Sequence, residues 1–130
     1  MRILSFTKMW DKLERSVFTT FRFKRKDRDW QIGEVVRVVY KQRSPERREL
    51  GIAEIIDKEP KRIPEDVTDI EAKEDGFQSI NDMAIWMRKR YGSRIEKEQM
   101  NRLTLKWVAF IKTEDLACTT TISNIKWKGR

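Results

Sequence analysis

Apolar residues alternate with polar ones in several short stretches of the 130-residue chain, and the spacing changes to a helical period in one long segment. Arg2 to Phe6 is short and apolar enough for a buried strand. Thr7 then stands where it would cap a helix, with Met9, Trp10, Leu13 and Val17 on one side at helical spacing. Thr19 to Phe23 is rich in strand formers, with Phe21 and Phe23 facing one way and Thr20, Arg22 and Lys24 the other. Lys24 to Asp29 is a charged run that cannot be buried and reads as a loop. Trp30 to Glu34 is a glycine turn, with Trp30 as a core plug beneath it, and it leads into the strand Val35 to Tyr40. A charged loop, Lys41 to Glu49, separates this strand from the next, Leu50 to Ile56.

Pro60 and Pro64 block any helix between them. Thr68 can cap a short helix over 69–75 with acids in its first turn, and Gly76 stops it. Ser79, three residues before Asp82, starts the helix with the clearest pattern in the chain. Its apolar set is Ile80, Met83, Ala84, Met87 and Tyr91, and Arg88, Lys89 and Arg90 precede the glycine that ends it. Leu103 to Ile111 is a long β-type run expected to close a barrel, with Trp107 in the core alongside Trp86. Residues 112–130 read as an extension, either an edge strand or a mobile basic tail in which Trp127 could stack on a base. The expected fold class is α+β, a small barrel with helices packed beside it, in one domain over 1–111.

Composition removes more functions than it adds. The chain has no histidine and one cysteine, Cys118, so imidazole relays, His-ligated zinc and internal disulfides are excluded and any catalysis falls to Lys, Asp/Glu, Tyr, Ser/Thr or Arg. No cofactor or metal site is expected, and a soluble cytoplasmic protein without membrane contact is. The net charge of +8 is uneven: residues 1–62 carry +7, residues 63–82 carry −6 and residues 83–130 carry +7. That layout suits a polyanion binder, although a charge-rich surface laced with ion pairs would also produce it.

The order of signals resembles the ASCH domain family of the PUA-like superfamily. The resembling pieces are Ile3 to Phe6, Thr19 to Arg22, Trp30 to Val36, Gly51 to Ile55, and Glu71 to Phe77. The resemblance implies a PUA-like barrel and a cleft between barrel and helices that takes RNA or a nucleotide-like ligand. It places Thr20, Arg22 and Asp75 at that cleft. The basic run Lys24, Arg25, Lys26 and Arg28 adds a net +2 with Asp27 and Asp29, and reads either as a solvated hairpin or as a phosphate-holding loop. The partner expected is RNA, single-stranded or carrying a modified nucleotide.

Some members of the family hydrolyse N4-acetylcytidine with a lysine, a threonine and a carboxylate. Here Thr20 and Asp75 match, and the lysine position is Val17. Lys12 or Lys24 would have to replace it spatially, within about 3 Å of the reacting group. RNA recognition without catalysis is therefore the first expectation, nucleoside amide hydrolysis through Thr20 and Asp75 the second, and a protein-binding adaptor the third.

Overall fold

The computed structural model describes residues 1–111 and the backbone of Ile125–Lys126. Its strands are β1 (Ile3–Phe6), β2 (Val17–Phe23), β3 (Val35–Tyr40), β4 (Arg48–Lys61), β5 (Met100–Ile111) and β6 (Ile125–Lys126). The helices are α1 (Asp69–Glu74), α2 (Ile80–Tyr91) and the single turn α3 (Arg94–Lys97). The sheet order is β1-β3-β4-β5-β2, with β6 pairing onto β5 off that path. Among the described residues only β1 and β3 are parallel; the other pairs are antiparallel. The mixed sheet curls into a half-barrel of α+β architecture.

Curvature has a visible source. The registers of β3 with β4 and of β4 with β5 slip at bulges near Val38, Ile52 and Ile55, and each bulge adds twist to long strands that would otherwise lie flat. Curling brings the two outermost strands, β1 and β2, toward each other without backbone pairing. Phe6 meets Phe18 edge to face across the gap, with ring centroids 6.3 Å apart. One core fills the half-barrel around Trp107, Phe18, Leu4, Ile55 and Leu105, and a second lies under α2 around Met83, Met87, Phe21 and Ile63.

Three expectations change. The segment after β1 is one 3-10 turn, Asp11–Glu14, with no side-chain cap from Thr7. Trp10 and Leu13 are buried, whereas Met9 and Val17 are exposed. The turn is held by the core: the Trp107 Nε1 donates to the Leu13 carbonyl at 3.1 Å, and the Trp107 amide donates to the Ser16 carbonyl at 3.0 Å. Second, β4 continues through Pro60 to Lys61, paired with the start of β5. Third, β5 does not close a barrel but lies inside the sheet between β4 and β2, and β1 and β2 form its ends. Of the C-terminal extension, the backbone of Ile125–Lys126 pairs with β5, while Trp127 and the rest of 112–130 lie outside the described residues.

The helix signals match the structure closely. Thr68 accepts from the Glu71 amide, and Glu71 accepts from the Thr68 amide, a reciprocal capping box. Ser79 accepts from the Asp82 amide at 3.1 Å. Gly76 ends α1 at φ 111°, a backbone region that L side chains rarely adopt, and a Cβ there would lie 2.8 Å from the Trp10 ring. Both constraints act at the residue after Asp75. Gly76→Ala is expected to lower stability by roughly 1–3 kcal/mol from the backbone alone, with more from the Trp10 contact. Urea unfolding monitored by tryptophan fluorescence measures this; an unchanged midpoint would show that the α1 terminus is not held in place by Trp10.

Candidate functional site

The gap between β1 and β2 is where the sheet has no ladder to close it, and its floor is built from side chains. β2 pairs with β5 along one edge only, so residues on both of its faces can be approached from the free edge. Asp75 comes to that edge from the end of α1. Its position is fixed by its own amide, which donates to the Glu71 carbonyl, and by Arg15, which binds the Glu74 carbonyl at 2.9 Å. Arg102 on β5 adds an ion pair to the Glu74 carboxylate at 3.2 Å.

Asp75 is 3% exposed and Lys12 is 2% exposed. The Lys12 ammonium lies 3.1 Å from Asp75 Oδ1, and the Thr19 hydroxyl donates to the same oxygen at 2.9 Å. The ammonium also rests near the faces of Trp10, at 5.2 Å, and Phe6, at 5.5 Å. Arg22 follows on β2: its Nε donates to the Thr20 hydroxyl at 3.1 Å, and its guanidinium covers the Phe6 ring at 4.7 Å. Thr20, Arg22, Lys12 and Asp75 thus line one cleft, walled by Phe6, Trp10, Phe77, Trp86 and Tyr91. Trp10, Phe77 and Trp86 meet pairwise edge to face with centroids 5.1–5.7 Å apart. Trp86 is therefore a half-buried cleft wall as well as a core side chain.

Loss of solvent dominates the electrostatics. Burial lowers the Lys12 ammonium to about 8, against the opposing charge and hydrogen bond of Asp75. Burial likewise raises the Asp75 carboxyl, against Lys12, Thr19 and Arg22. Arg22 is pulled down to about 10 by loss of solvent, with Tyr91 and Asp75 opposing, and stays cationic at neutral pH. A pair whose members are each disfavoured by desolvation is an expensive way to hold a fold together, and such pairs cluster where chemistry or recognition needs them.

The resemblance places the family's lysine at Val17, which is 40% exposed at the start of β2 and does not line the cleft. The ammonium in the cleft comes from Lys12, five residues earlier and on a different element. Thr19 is buried on β2 and its hydroxyl is a hydrogen-bond donor to Asp75.

The four loop cations are absent from the cleft lining. Arg25 pairs with Asp27 at 3.4 Å and Arg28 with Glu34 at 3.8 Å, while Lys26 makes no ion pair among the described residues and the Glu98 carboxyl is held below its usual range chiefly by Arg94. Arg2 braces the loop from behind. It binds both carboxylate oxygens of Glu34 at 2.6 Å, donates to the carbonyls of Arg28 and Asp29, and stacks on Trp30 at 4.5 Å. The Asp29 carboxylate takes hydrogen bonds from the Trp30 amide and Asn101 and an ion pair from Lys58. Lys24 makes no ion pair among the described residues. The loop is an anchored structure with much of its charge already answered.

Among the described residues no group of three or more His, Cys, Asp or Glu side chains could hold a metal ion, and no helix is long and apolar enough to cross a membrane. No protein-family model matches the chain, and no curated protein or solved structure is significantly similar to it.

Removing one member of the buried pair strands the other. Lys12→Met is expected to lose roughly 3–5 kcal/mol, and adding Asp75→Asn, which keeps an acceptor for Thr19, should recover most of it. Denaturant unfolding of the two singles and the double measures the coupling, and additive losses would mean that the pair does not interact. Between about 8 and the ordinary lysine value of 10.5 the unfolded chain holds a Lys12 proton that the fold has released. Stability contributed by Lys12 therefore rises with pH across that window. The advantage of wild type over Lys12→Met should widen from pH 8 to pH 10; a constant difference would contradict the lowered lysine.

Proposed function

We propose that the cleft between β1 and β2 receives the edge of an unpaired or modified nucleobase, and that the domain is a PUA-like RNA-binding module. The observation that carries this reading is the polar floor of Lys12, Thr20, Arg22 and Asp75 beneath walls of Phe6, Trp10, Phe77, Trp86 and Tyr91. Aromatic faces bind a planar ring with little demand on its identity, and the floor then selects by donors and an acceptor. Two cations and a hydroxyl answer the carbonyls and ring nitrogens of a base, and Asp75 answers an exocyclic amine.

Size sharpens the reading. The cavity at the floor is ≈ 40 Å³, room for roughly three waters. A ring edge or one substituent fits there, while the rest of the nucleoside stays between the aromatic walls. The uneven charge, with +7 on each flanking region, favours polyanions at encounter.

A second reading has its own observation, the buried Lys12 brought to about 8. A fraction of roughly one in ten is then neutral at pH 7, enough to act as a general base. In hydrolysis of an N4-acylated cytosine, the Thr20 hydroxyl or a water would add to the acyl carbonyl as Lys12 takes its proton. The C–N bond would break with that proton passed to the departing exocyclic amine, and water would supply the carboxylate released. Arg22 is the cation available to the developing oxyanion.

Both readings are tested with nucleosides. Tryptophan fluorescence should be quenched on adding cytidine, uridine or N4-acetylcytidine, since three of the cleft walls, Trp10, Phe77 and Trp86, form one aromatic cluster. Arg22→Gln is expected to weaken binding by roughly 1.5–3 kcal/mol, the range for a hydrogen bond to a charged group. Quenching by none of the nucleosides and none of their oligomers would overturn the base-binding reading. If acetate is released from N4-acetylcytidine, the rate should climb with pH toward a plateau above 8 and vanish in Lys12→Met. A rate independent of pH across 7–9 would remove Lys12 as the base.

A further inference from the structure

The cleft is not closed at its sides. Ser5 and Thr7 line both the cleft and a groove of ≈ 490 Å³ whose far side is the β3–β4 loop, Lys41 to Ser44. On the opposite side, Trp10, Phe77 and Trp86 line both the cleft and a hollow of ≈ 460 Å³ bordered by Lys8 and Lys89. The three concavities therefore run in series across the β1 to 3-10 turn connection.

Charge along this line differs from charge on the 24–28 loop. Among the described residues no acidic side chain lines the groove, which carries Lys41 and Arg43. Arg43 is exposed, and its guanidinium makes no hydrogen bond or ion pair among the described residues; Lys41 has a single acidic partner, Glu46, at 3.1 Å in solvent. An exposed pair of that kind contributes little and is readily exchanged for a phosphate. In the hollow, Lys8 lies over the Trp10 ring at 4.2 Å and, like Lys89, has no ion pair among the described residues; Asp82 is the one acid there. Arg90 lines the cleft between them, stacked on Trp86 and Tyr91.

We propose that the ligand is a single-stranded polynucleotide that crosses the β1 to 3-10 turn connection, one base in the cleft, with flanking phosphates held by Lys41 and Arg43 on one side and by Lys8 and Lys89 on the other. This rests on the reading of the cleft as a base site and goes beyond it in two respects: a chain rather than a free nucleoside is the ligand, and the 24–28 loop is not where its phosphates lie. None of the loop cations lines the cleft or either concavity beside it, and Arg25 and Arg28 pair with Asp27 and Glu34, whereas Lys41, Arg43, Lys8 and Lys89 border the path itself.

The test compares mononucleotides with fluorescein-labelled oligoribonucleotides of about seven residues, uridine-, cytidine- and adenosine-only, a length within the range one small domain covers. Anisotropy is read across a salt series for wild type and three double variants: Lys41→Gln/Arg43→Gln, Lys8→Gln/Lys89→Gln and Lys24→Gln/Lys26→Gln. The first two are expected to make the slope of log affinity against log salt shallower by about 0.7 for each phosphate no longer neutralised. The third should leave the slope as in wild type, and mononucleotide quenching should persist in all three. An oligomer bound no tighter than its mononucleotide would overturn the chain path while leaving the base site standing. So would a slope that changes in the Lys24/Lys26 variant but not in the other two. Wild type that binds neither form would remove the base site and this inference together. Equal behaviour of the matching deoxyribonucleotides would keep the path and remove the preference for RNA.

Discussion

The buried Lys12–Asp75 pair is the constraint around which this molecule is arranged. Two ionised groups out of water need one another, and in this sheet they stand where backbone pairing stops. Their contact, with Thr19 on the same carboxylate oxygen, joins three segments: the 3-10 turn, the end of α1 and the free edge of β2. Trp107 holds the turn, and Gly76 lets α1 end against Trp10. Much of the surrounding packing can be read as support for that one contact. Its energetic logic is that of a site rather than a strut, because desolvation opposes the charged form of both members.

A division of labour among the basic residues follows. Polar and charged side chains that pack against the 24–29 region are used internally: Arg2 grips Glu34 and two loop carbonyls, and Lys58 and Asn101 hold Asp29. The result is a stiff wall behind Trp30. The cations bordering the cleft, by contrast, rest on aromatic rings or in solvent. The same residue types thus do structural work on one side of the sheet's end and remain available on the other. Net charge alone does not distinguish the two.

Local signals carried much of the architecture. A short apolar run located β1, alternation located β2, a valine-rich run behind a glycine turn located β3, and the cap residues Thr68 and Ser79 located the starts of α1 and α2, because caps, turns and pleats are decided within a few residues. Thr20, Arg22 and Asp75 were identified through the family resemblance and do converge. Lys12 was legible only as a candidate substitute, since a lysine in a polar stretch reads as solvated and its burial depends on a residue 63 positions away. The same reason explains the loop cations: Asp27 is nearby in sequence, but Glu34 becomes the partner of Arg28 only after folding. The helical spacing of Met9, Trp10, Leu13 and Val17 misled because the chain leaves the helical path once Trp107 takes the Leu13 and Ser16 carbonyls. The interior place of β5 is a matter of topology, on which its own pattern is silent.

Because β1 and β2 face each other through side chains alone, the cleft has a width that no ladder of hydrogen bonds fixes. Opening it by a fraction of an ångström asks for rotation of Phe6 or Trp86, not for the unzipping of strands. A planar ring received there, as proposed, would meet aromatic walls above and a charged floor below. Discrimination among ligands should accordingly be gradual for bulk and steep for hydrogen-bonding pattern, the opposite of a pocket moulded by paired backbone.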